Sequence, residues 1–289
     1  MKMPTENKTP FLSIVIPTYN SEKHLPALLR SIEAQDFRDF ELIFVDNLSS
    51  DGTKKVIDAY REIFDIVFVS EKDKGQGDAV TKGLRLARGE IHHWHASDDI
   101  VMPDAFRVAA SIFQKFTKVD LIFSDGLAFD NSLDRVYSSW PTNGLSKTIM
   151  QYGFGRFQSD TAYWRGSMTQ SLLPLRDDIP LIVDEEFFLR AIDCARNIKR
   201  SKKPLGAFRI RAGQISQISN KSDLKQQRHI AKNRIYGELT FPQKILGKVA
   251  ELYCGTMIFF ARFKRRVIRL LGGDVYSVYK SYIKNVERA

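Results

Sequence analysis

Short apolar runs alternate with amphipathic stretches through the first half of the chain. The runs FLSIVI at 11–16 and ELIFV at 41–45 are apolar on both faces, which is typical of buried strands. Between them, apolar residues recur at helical spacing from position 25 to position 32. The alternation continues with predicted helices at 53–63, 77–87 and 103–116 and predicted strands at 66–69, 90–95 and 120–124. This order predicts an α/β fold in which helices cover both faces of a mostly parallel sheet.

Polar clusters follow three of the predicted strands, at 17–20, 46–51 and 97–99. The carboxyl ends of parallel strands meet at one edge of a sheet, and ligands of open α/β sheets bind beyond that edge. The three clusters therefore predict a single ligand-binding cleft.

The second half of the chain is less regular. Residues 125–157 are rich in glycine and turn signals, and we expect a loop insertion that contributes to specificity. A helix at 184–194 and a strand at 206–211 follow. We place one domain at 1–215 and a basic helical extension at 216–289.

The segment 244–271 carries one apolar stripe with gaps of three and four residues, including Phe260 and Phe263. Its opposite face is basic, with Arg262, Arg266 and Arg269. This pattern is typical of an amphipathic helix that lies in a membrane interface. A helix that packs its stripe on the domain itself would show the same pattern, so both interpretations stay open.

Charge is distributed unevenly along the 289 residues. Residues 1–198 hold 29 acidic and 23 basic side chains, whereas residues 199–289 hold 5 acidic and 21 basic ones. A basic segment of this kind favours a polyanionic partner such as anionic lipid, nucleic acid or a phosphorylated substrate. No nucleic-acid-binding motif accompanies the charge, so we do not expect a nucleic-acid partner.

The composition indicates an ordinary globular protein, with 43% hydrophobic and 27% charged residues. Two cysteines exclude a disulfide scaffold and fit a reducing compartment. The sequence lacks a signal-peptide pattern and a continuous apolar run of about 18 residues. We expect a cytoplasmic protein, or one peripheral on the inner face of the plasma membrane.

Several polar residues of the predicted cleft suggest chemistry on their own. Asp98 and Asp99 directly follow a predicted strand and offer the oxygen ligands that a hard divalent cation needs, or they cap the next helix. His93 and His95 would lie on the same face of their strand, where two imidazoles are suitable ligands for a transition metal. Alternatively, both would line the pocket as hydrogen-bonded histidines without a metal.

Three segments together carry a resemblance to a known family. These are SIVIPTYNSEKHLPALLRSIEAQDFRDFELIFVDNLSSDGT, then DKGQGDAVTKGLRLARGE, then ASDD. In order and spacing they resemble family 2 glycosyltransferases, and the likeness extends roughly over residues 11–213. It implies a GT-A fold, a Rossmann-like, mostly parallel sheet with helices on both faces, here followed by the amphipathic helical extension.

The resemblance also implies roles for residues that bind a nucleotide sugar. Thr18, Tyr19 and Asp46 match the positions that hold the nucleotide base. Asp98 and Asp99 match the aspartate pair that holds a divalent cation, Mn²⁺ or Mg²⁺, and the diphosphate.

Further positions match by the same resemblance. Asp78 matches a position near the donor sugar or ribose. Gln158 and Arg165, in QSDTAYWRGS, match the acceptor-side segment, and Arg211 matches a position near the diphosphate. The stretch VDEEFFLRA is similar to the family's acidic motif, which makes Asp184 the expected catalytic base and Glu185 the close alternative.

The chain departs from the family pattern at several positions. Ala96 stands where many relatives have aspartate, so the metal shell rests on Asp99 with Asp98 supporting. Arg211 replaces a frequent histidine and would neutralise diphosphate charge without binding a metal.

The expected function is inverting transfer of a sugar from a nucleoside-diphosphate sugar, UDP being the expected nucleotide. The acceptor would be a hydroxyl of a glycan or of a polyprenyl-linked intermediate in surface polysaccharide synthesis. Two alternatives stay open: a nucleotidyltransferase, and a non-catalytic protein that keeps the fold and docks to a membrane.

Overall fold

The structure is a computed structural model. It describes residues 9–130, 136–140, 158–211, 214, 220–238, 240–243, 245–249 and 277–288, together with the single positions 252, 256, 259, 260 and 263. Side chains at 137–140 are outside this description.

Within these residues the larger sheet has seven strands in the order β10-β6-β9-β4-β1-β2-β3. The strands are β1 (Leu12–Thr18), β2 (Phe40–Asp46), β3 (Asp65–Ser70), β4 (Ile91–Trp94), β6 (Leu121–Ser124), β9 (Ala162–Arg165) and β10 (Ile198–Ser201). Pairing is parallel except at β9, which runs antiparallel to both β4 and β6. The mostly parallel sheet is confirmed, although β9 and β10 were not predicted.

Strand β1 extends two residues beyond the apolar run 11–16, past the break that its sequence predicts. Proline at position 17 signals a break, yet the pairing with β2 extends to Thr18 opposite Asp46. The ladder to β4 has already ended at Val15 opposite Trp94, so no neighbour on that side needs the N–H that Pro17 lacks.

Helices cover both faces of this sheet, as predicted. They are α1 (Leu25–Glu33), α2 (Thr53–Asp58), α3 (Gln76–Leu86), α4 (Ala105–Lys115), α5 (Thr169–Leu172) and α6 (Val183–Cys194). One core contains Leu28 of α1 and Phe106 of α4, and a second core on the opposite face contains Val80 of α3 and Phe187 of α6. Alternate residues of β1 contribute to the two cores because successive strand side chains point to opposite faces.

A second sheet lies beside the first, with four described strands in the order β5-β11-β7-β8. These are β5 (Ile100–Val101), β7 (Gly126–Asp130), β8 (Val136–Trp140) and β11 (Gly206–Ile210). The prediction of a loop insertion at 125–157 was therefore wrong at its start, because β7 and β8 form a ladder there. Residues 131–135 and 141–157 lie outside the described part.

Two helices follow the boundary predicted at residue 215, namely α7 (Lys221–Tyr236) and α8 (Ser277–Arg288). Ala231 of α7 is buried with Ile179 and Ile182 of the body. Ile283 and Val286 of α8 are buried in the core of the second sheet. The proposed division into two domains stays a prediction, but both helices share cores with the residues before 215.

The predicted amphipathic helix at 244–271 lies mostly outside the described residues. Those that are described within it include helical positions 245–249, and the apolar side chains of Val249, Phe260 and Phe263 are exposed. In the described part of the chain, no helix has the length and apolar character needed to cross a bilayer.

Candidate active site

A cleft of about 640 Å³ opens at the carboxyl ends of β1, β2 and β4. Its lining includes Thr18 at the end of β1 and Tyr19 after it, Asp98 and Asp99 after β4, and Asp184 at the start of α6. The parallel strands bring these residues together although they are far apart in the chain, as the polar clusters predicted.

The base-binding corner predicted at β1 and β2 is held together by Asp46. Its carboxylate accepts hydrogen bonds from Thr18 Oγ1 at 3.1 Å, Ser70 Oγ at 2.9 Å and the backbone N–H of Ser49 at 2.9 Å. Thr18 and Tyr19 line the cleft, and the side chain of Tyr19 is exposed, whereas Asp46 is buried directly behind them. Asp46 therefore does not line the cleft itself but fixes Thr18, Ser49 and Ser70 beside it through these hydrogen bonds.

Asp98 and Asp99, which we call the acid pair, both line the cleft. Asp99 is buried, and its Oδ1 accepts a hydrogen bond from the backbone N–H of Arg209 at 2.8 Å. The Oδ2 of Asp98 accepts one from Arg211 Nε at 2.8 Å, and Gln214 Nε2 lies 3.4 Å away. Burial, followed by the neighbouring carboxylates of Asp98 and Asp160, raises the pKa of Asp99 well above its ordinary value.

Asp160 is a third carboxylate of the cleft that the sequence analysis missed. It is 1% exposed, and neither carboxylate oxygen has a hydrogen-bond partner in the described part of the chain. Burial and the charges of Asp184 and Asp98 raise its pKa to about 8. A β-carbon at Gly206 would lie 2.2 Å from the backbone carbonyl oxygen of Asp160 and 2.5 Å from its Oδ2, so Asp160 occupies space that only glycine leaves open. Its only sequence signal was its place two residues after Gln158, which also lines the cleft.

Asp184 and Glu185 occupy different environments in the first turn of α6. The Glu185 carboxylate forms a two-point ion pair with Arg228 of α7, with Nε to Oε2 at 2.6 Å and Nη2 to Oε1. Asp184 is half-buried at the cleft, and its Oδ1 accepts a hydrogen bond from the backbone N–H of Glu185 at 2.8 Å. Burial, followed by the Glu185 charge, raises the pKa of Asp184 to about 7. A carboxyl with this pKa has the proton affinity of a general base near neutral pH, whereas Glu185 is held in its ion pair with Arg228.

Comparison with known proteins identifies the family. The chain matches the sequence profile described as "Glycosyl transferase family 2" over residues 13–168, which is more than half of its length. It belongs to glycosyltransferase family 2.

Relatives of this family 2 chain include the putative glycosyltransferase EpsH of Bacillus subtilis, 26% identical over 73% of this chain and 64% of EpsH. Chondroitin synthase of Escherichia coli is 30% identical over 50% of this chain and 21% of its own length. The chain thus covers less than two thirds of each of these relatives.

Solved structures confirm the GT-A fold. A crystal structure of S. aureus TarS 1–349 in complex with UDP-GlcNAc has a TM-score of 0.66 at 22% identity, and it covers 81% of this chain and 69% of that one. The mannosyltransferase PcManGT of Pyrobaculum calidifontis, in complex with GDP-Man and Mn²⁺, has a TM-score of 0.58 at 14% identity over 97% of this chain and 86% of its own.

Two residues of the family 2 chain lie away from the cleft to which the resemblance assigned them. Arg165 ends β9, which runs antiparallel to β4, and it pairs there with Ile91 at the start of β4. Its guanidinium binds Glu90 at 2.5 Å and the carbonyl of Val119 at 2.8 Å, at the edge opposite the cleft. The acceptor-side assignment of Arg165 was therefore wrong, because the strand direction carries it away from Gln158.

Asp78 faces away from the cleft as well. It accepts the backbone N–H of Lys74 at 3.1 Å and lies 3.4 Å from Lys82 Nζ, whereas its helix neighbours Gln76 and Ala79 line the cleft. Asp78 is therefore not among the residues that line the cleft, and its predicted contact with a donor sugar or ribose stays a prediction.

The histidines before the acid pair are buried and hydrogen-bonded. His93 and His95 do share a face, with His93 Nε2 3.1 Å from His95 Nδ1, and His93 Nδ1 lies 2.8 Å from the carbonyl of Ala162. Burial lowers the pKa of His93 to about 4. Among the described residues no three histidine, cysteine or acidic side chains form a metal cluster, which favours a packing role for these rings.

The acid pair fits a divalent cation that takes few ligands from the protein. Its donors are hard carboxylate oxygens, and the two buried oxygens of the neighbouring Asp160 have no hydrogen-bond partner among the described residues. Mg²⁺ and similar ions are often held by one or two carboxylates together with substrate phosphates, which needs no three-residue protein cage.

Proposed function

We propose that this chain is an inverting glycosyltransferase that uses a nucleoside-diphosphate sugar, with UDP as the expected nucleotide. The observation that carries the proposal is the presence of Asp184, a half-buried carboxyl with a pKa of about 7, on the same cleft as the acid pair Asp98 and Asp99. Family membership supports the reaction class, and the TarS complex supports a UDP-sugar as the first donor to test.

In the proposed mechanism Asp184 takes the proton from the acceptor hydroxyl, whose oxygen then forms the bond to the anomeric carbon as the bond to the diphosphate breaks. The attack comes from the face opposite the leaving group, so the anomeric configuration inverts. Glu185 stays paired with Arg228 and keeps α7 beside the cleft.

Residues at the other end of the cleft would hold the donor. Thr18 and Tyr19 would bind the base. Arg211, which pairs with Asp98 in this structure, would turn to the diphosphate and neutralise its charge. Asp98 and Asp99 would hold Mn²⁺ or Mg²⁺, which supplies further stabilisation of negative charge on the leaving diphosphate.

The test is calorimetric titration of the full chain with UDP, GDP and their sugars, with and without Mn²⁺, followed by product analysis. Asp184→Asn is expected to bind the donor and to lose transfer, and Asp193→Asn on the exposed side of the same helix is the matched control. Loss of donor binding in Asp184→Asn to the same extent as transfer would remove the residue from the base role. Release of pyrophosphate would indicate a nucleotidyltransferase, and absence of any nucleotide binding would favour the non-catalytic alternative.

We also propose that the acceptor is a glycan or polyprenyl-linked intermediate of surface polysaccharide synthesis. The enzyme would reach this acceptor at the inner face of the plasma membrane, which residues 244–271 would bind. The exposed Phe259, Phe260 and Phe263 and the excess of basic residues after 198 support this placement.

Flotation with vesicles tests the membrane contact. We expect the full chain to float with vesicles that contain anionic lipid and to remain behind with zwitterionic ones. Replacing the three phenylalanines by serine should abolish flotation, whereas Ile63→Ser, at an exposed apolar position on the body, should not. Equal flotation of the triple variant would refute the contact.

A further inference from the structure

Arg209 on β11 is buried beneath the acid pair, with 1% of its surface exposed. Its backbone N–H donates to Asp99 Oδ1 at 2.8 Å, and its Nε donates to the backbone carbonyl of Asp98 at 2.7 Å. One residue thus fixes both a carboxylate of the pair and the backbone that carries the other.

The rest of the Arg209 guanidinium is bound by α8. Nη1 donates to Glu287 Oε2 at 3.1 Å and Nη2 donates to Oε1, while the guanidinium carbon lies 4.7 Å from the centre of the Phe129 ring. A buried cation is stable only with a bound anion, because removal from water costs several kcal/mol. Among the described contacts of the guanidinium, Glu287 supplies that anion.

The position of Glu287 is set by contacts that do not involve its own carboxylate. Arg30 of α1 donates to the carbonyls of Val286 at 2.6 Å and Glu287 at 3.2 Å. Ile283 is fully buried in the core of the second sheet. The helix α8 therefore stays in place when the charge of residue 287 is removed.

We propose that Glu287 is a positioning residue for the donor site, acting through Arg209 on Asp98 and Asp99. The inference rests on the proposed function insofar as the acid pair holds a divalent cation and a diphosphate. With Glu287 present, the Arg209 charge is neutralised on the side away from the cleft. Without it, the guanidinium is drawn to the acid pair and competes there with the incoming cation.

The first test measures Mn²⁺ affinity of the full chain by calorimetry for the wild type, Glu287→Gln, Glu287→Asp and Ile283→Val. Loss of a group that orients metal ligands typically weakens metal binding about 10–100-fold, so we expect at least a tenfold loss for Glu287→Gln. Partial recovery is expected in Glu287→Asp, because it keeps the charge. Ile283→Val lowers stability through packing and should leave Mn²⁺ affinity unchanged.

The second test does not depend on metal binding. Hydrogen–deuterium exchange in residues 97–101 should be faster in Glu287→Gln than in Ile283→Val when the two are compared at equal thermal stability. Equal exchange in the two variants, or wild-type Mn²⁺ affinity in Glu287→Gln, would overturn the positioning role. If the wild type binds no Mn²⁺ and no UDP, the proposed function fails, whereas the exchange comparison still decides the role of Glu287.

Discussion

The pKa of Asp184 is raised by burial and by the neighbouring Glu185 carboxylate, and the Arg228 guanidinium opposes this effect. The result is a pKa of about 7. A base with this pKa is about half deprotonated at pH 7 and about one-tenth deprotonated at pH 6. We therefore expect kcat/KM for sugar transfer to fall about fivefold between pH 7 and pH 6 and about tenfold for each further pH unit below 6.

Replacing one member of the ion pair between Glu185 and Arg228 should shift the inflection of this pH profile, to higher or lower pH depending on which member is replaced. The Glu185 charge raises the pKa of Asp184 and the Arg228 charge opposes it more weakly, so removing one partner leaves the other charge acting alone. A single unpaired charge nearby shifts a carboxyl pKa by about one unit or more. Arg228→Gln should move the inflection to higher pH and leave about one-tenth of the base active at pH 7, whereas Glu185→Gln should move it to lower pH and leave about nine-tenths active.

The assay is kcat/KM from pH 5 to pH 9 at saturating Mn²⁺ for the wild type, both single variants and the double variant. The double variant should have an inflection between those of the two single variants, because both charges are gone. Asp193→Asn on the same helix is the control and should keep the wild-type profile. Inflections that stay fixed, or that move in the same direction in both single variants, would refute Asp184 as the titrating base.

Other expected outcomes concern the acid pair and its surroundings. The pKa of Asp160 is about 8 in the folded chain, against an ordinary value of 3.8. Between about pH 4 and pH 8 the folded chain therefore keeps a proton that the unfolded chain has released. The free energy of unfolding consequently falls as pH rises through this window. In metal-free buffer Asp160→Asn should raise the thermal midpoint at pH 9, with a gain that shrinks towards pH 4; a lower midpoint at pH 9 would contradict this. Gly206→Ala places a methyl group 2.2 Å from the backbone oxygen of Asp160 and 2.5 Å from its Oδ2, and should lower the free energy of unfolding by about 1–3 kcal/mol in a denaturation curve. Arg211→Ala should weaken metal-free UDP binding several-fold in a titration, while Mn²⁺ binding is kept because Asp98 loses a cationic competitor.

Local patterns in the sequence were sufficient to predict the sheet and the edge at which its ligands bind. The runs at 11–16 and 41–45 are apolar on both faces and alternate with amphipathic helices, which is typical of a covered, mostly parallel sheet. In such a sheet the polar residues that follow the strands must meet, and Thr18, Asp98 and Asp99 do meet at the cleft. Asp184 was predicted from the resemblance at a helix start, and the structure places it on the same cleft.

Strand direction and long-range pairing were decided only by the tertiary structure. Because β9 runs antiparallel between β4 and β6, Asp160 before it lies at the cleft and Arg165 at its end lies at the opposite edge. No periodicity distinguishes the two directions, since a strand has the same alternation either way.

The buried ion pairs likewise could not be predicted from the sequence. Glu185 meets Arg228 across 43 positions, and Arg209 meets Glu287 across 78. The sequence by itself determined which residue types stand at strand and helix ends, because that depends on near neighbours. Which buried charge neutralises which was set by how α7 and α8 pack against the body, because a buried ion requires a partner at contact distance in space and not along the chain.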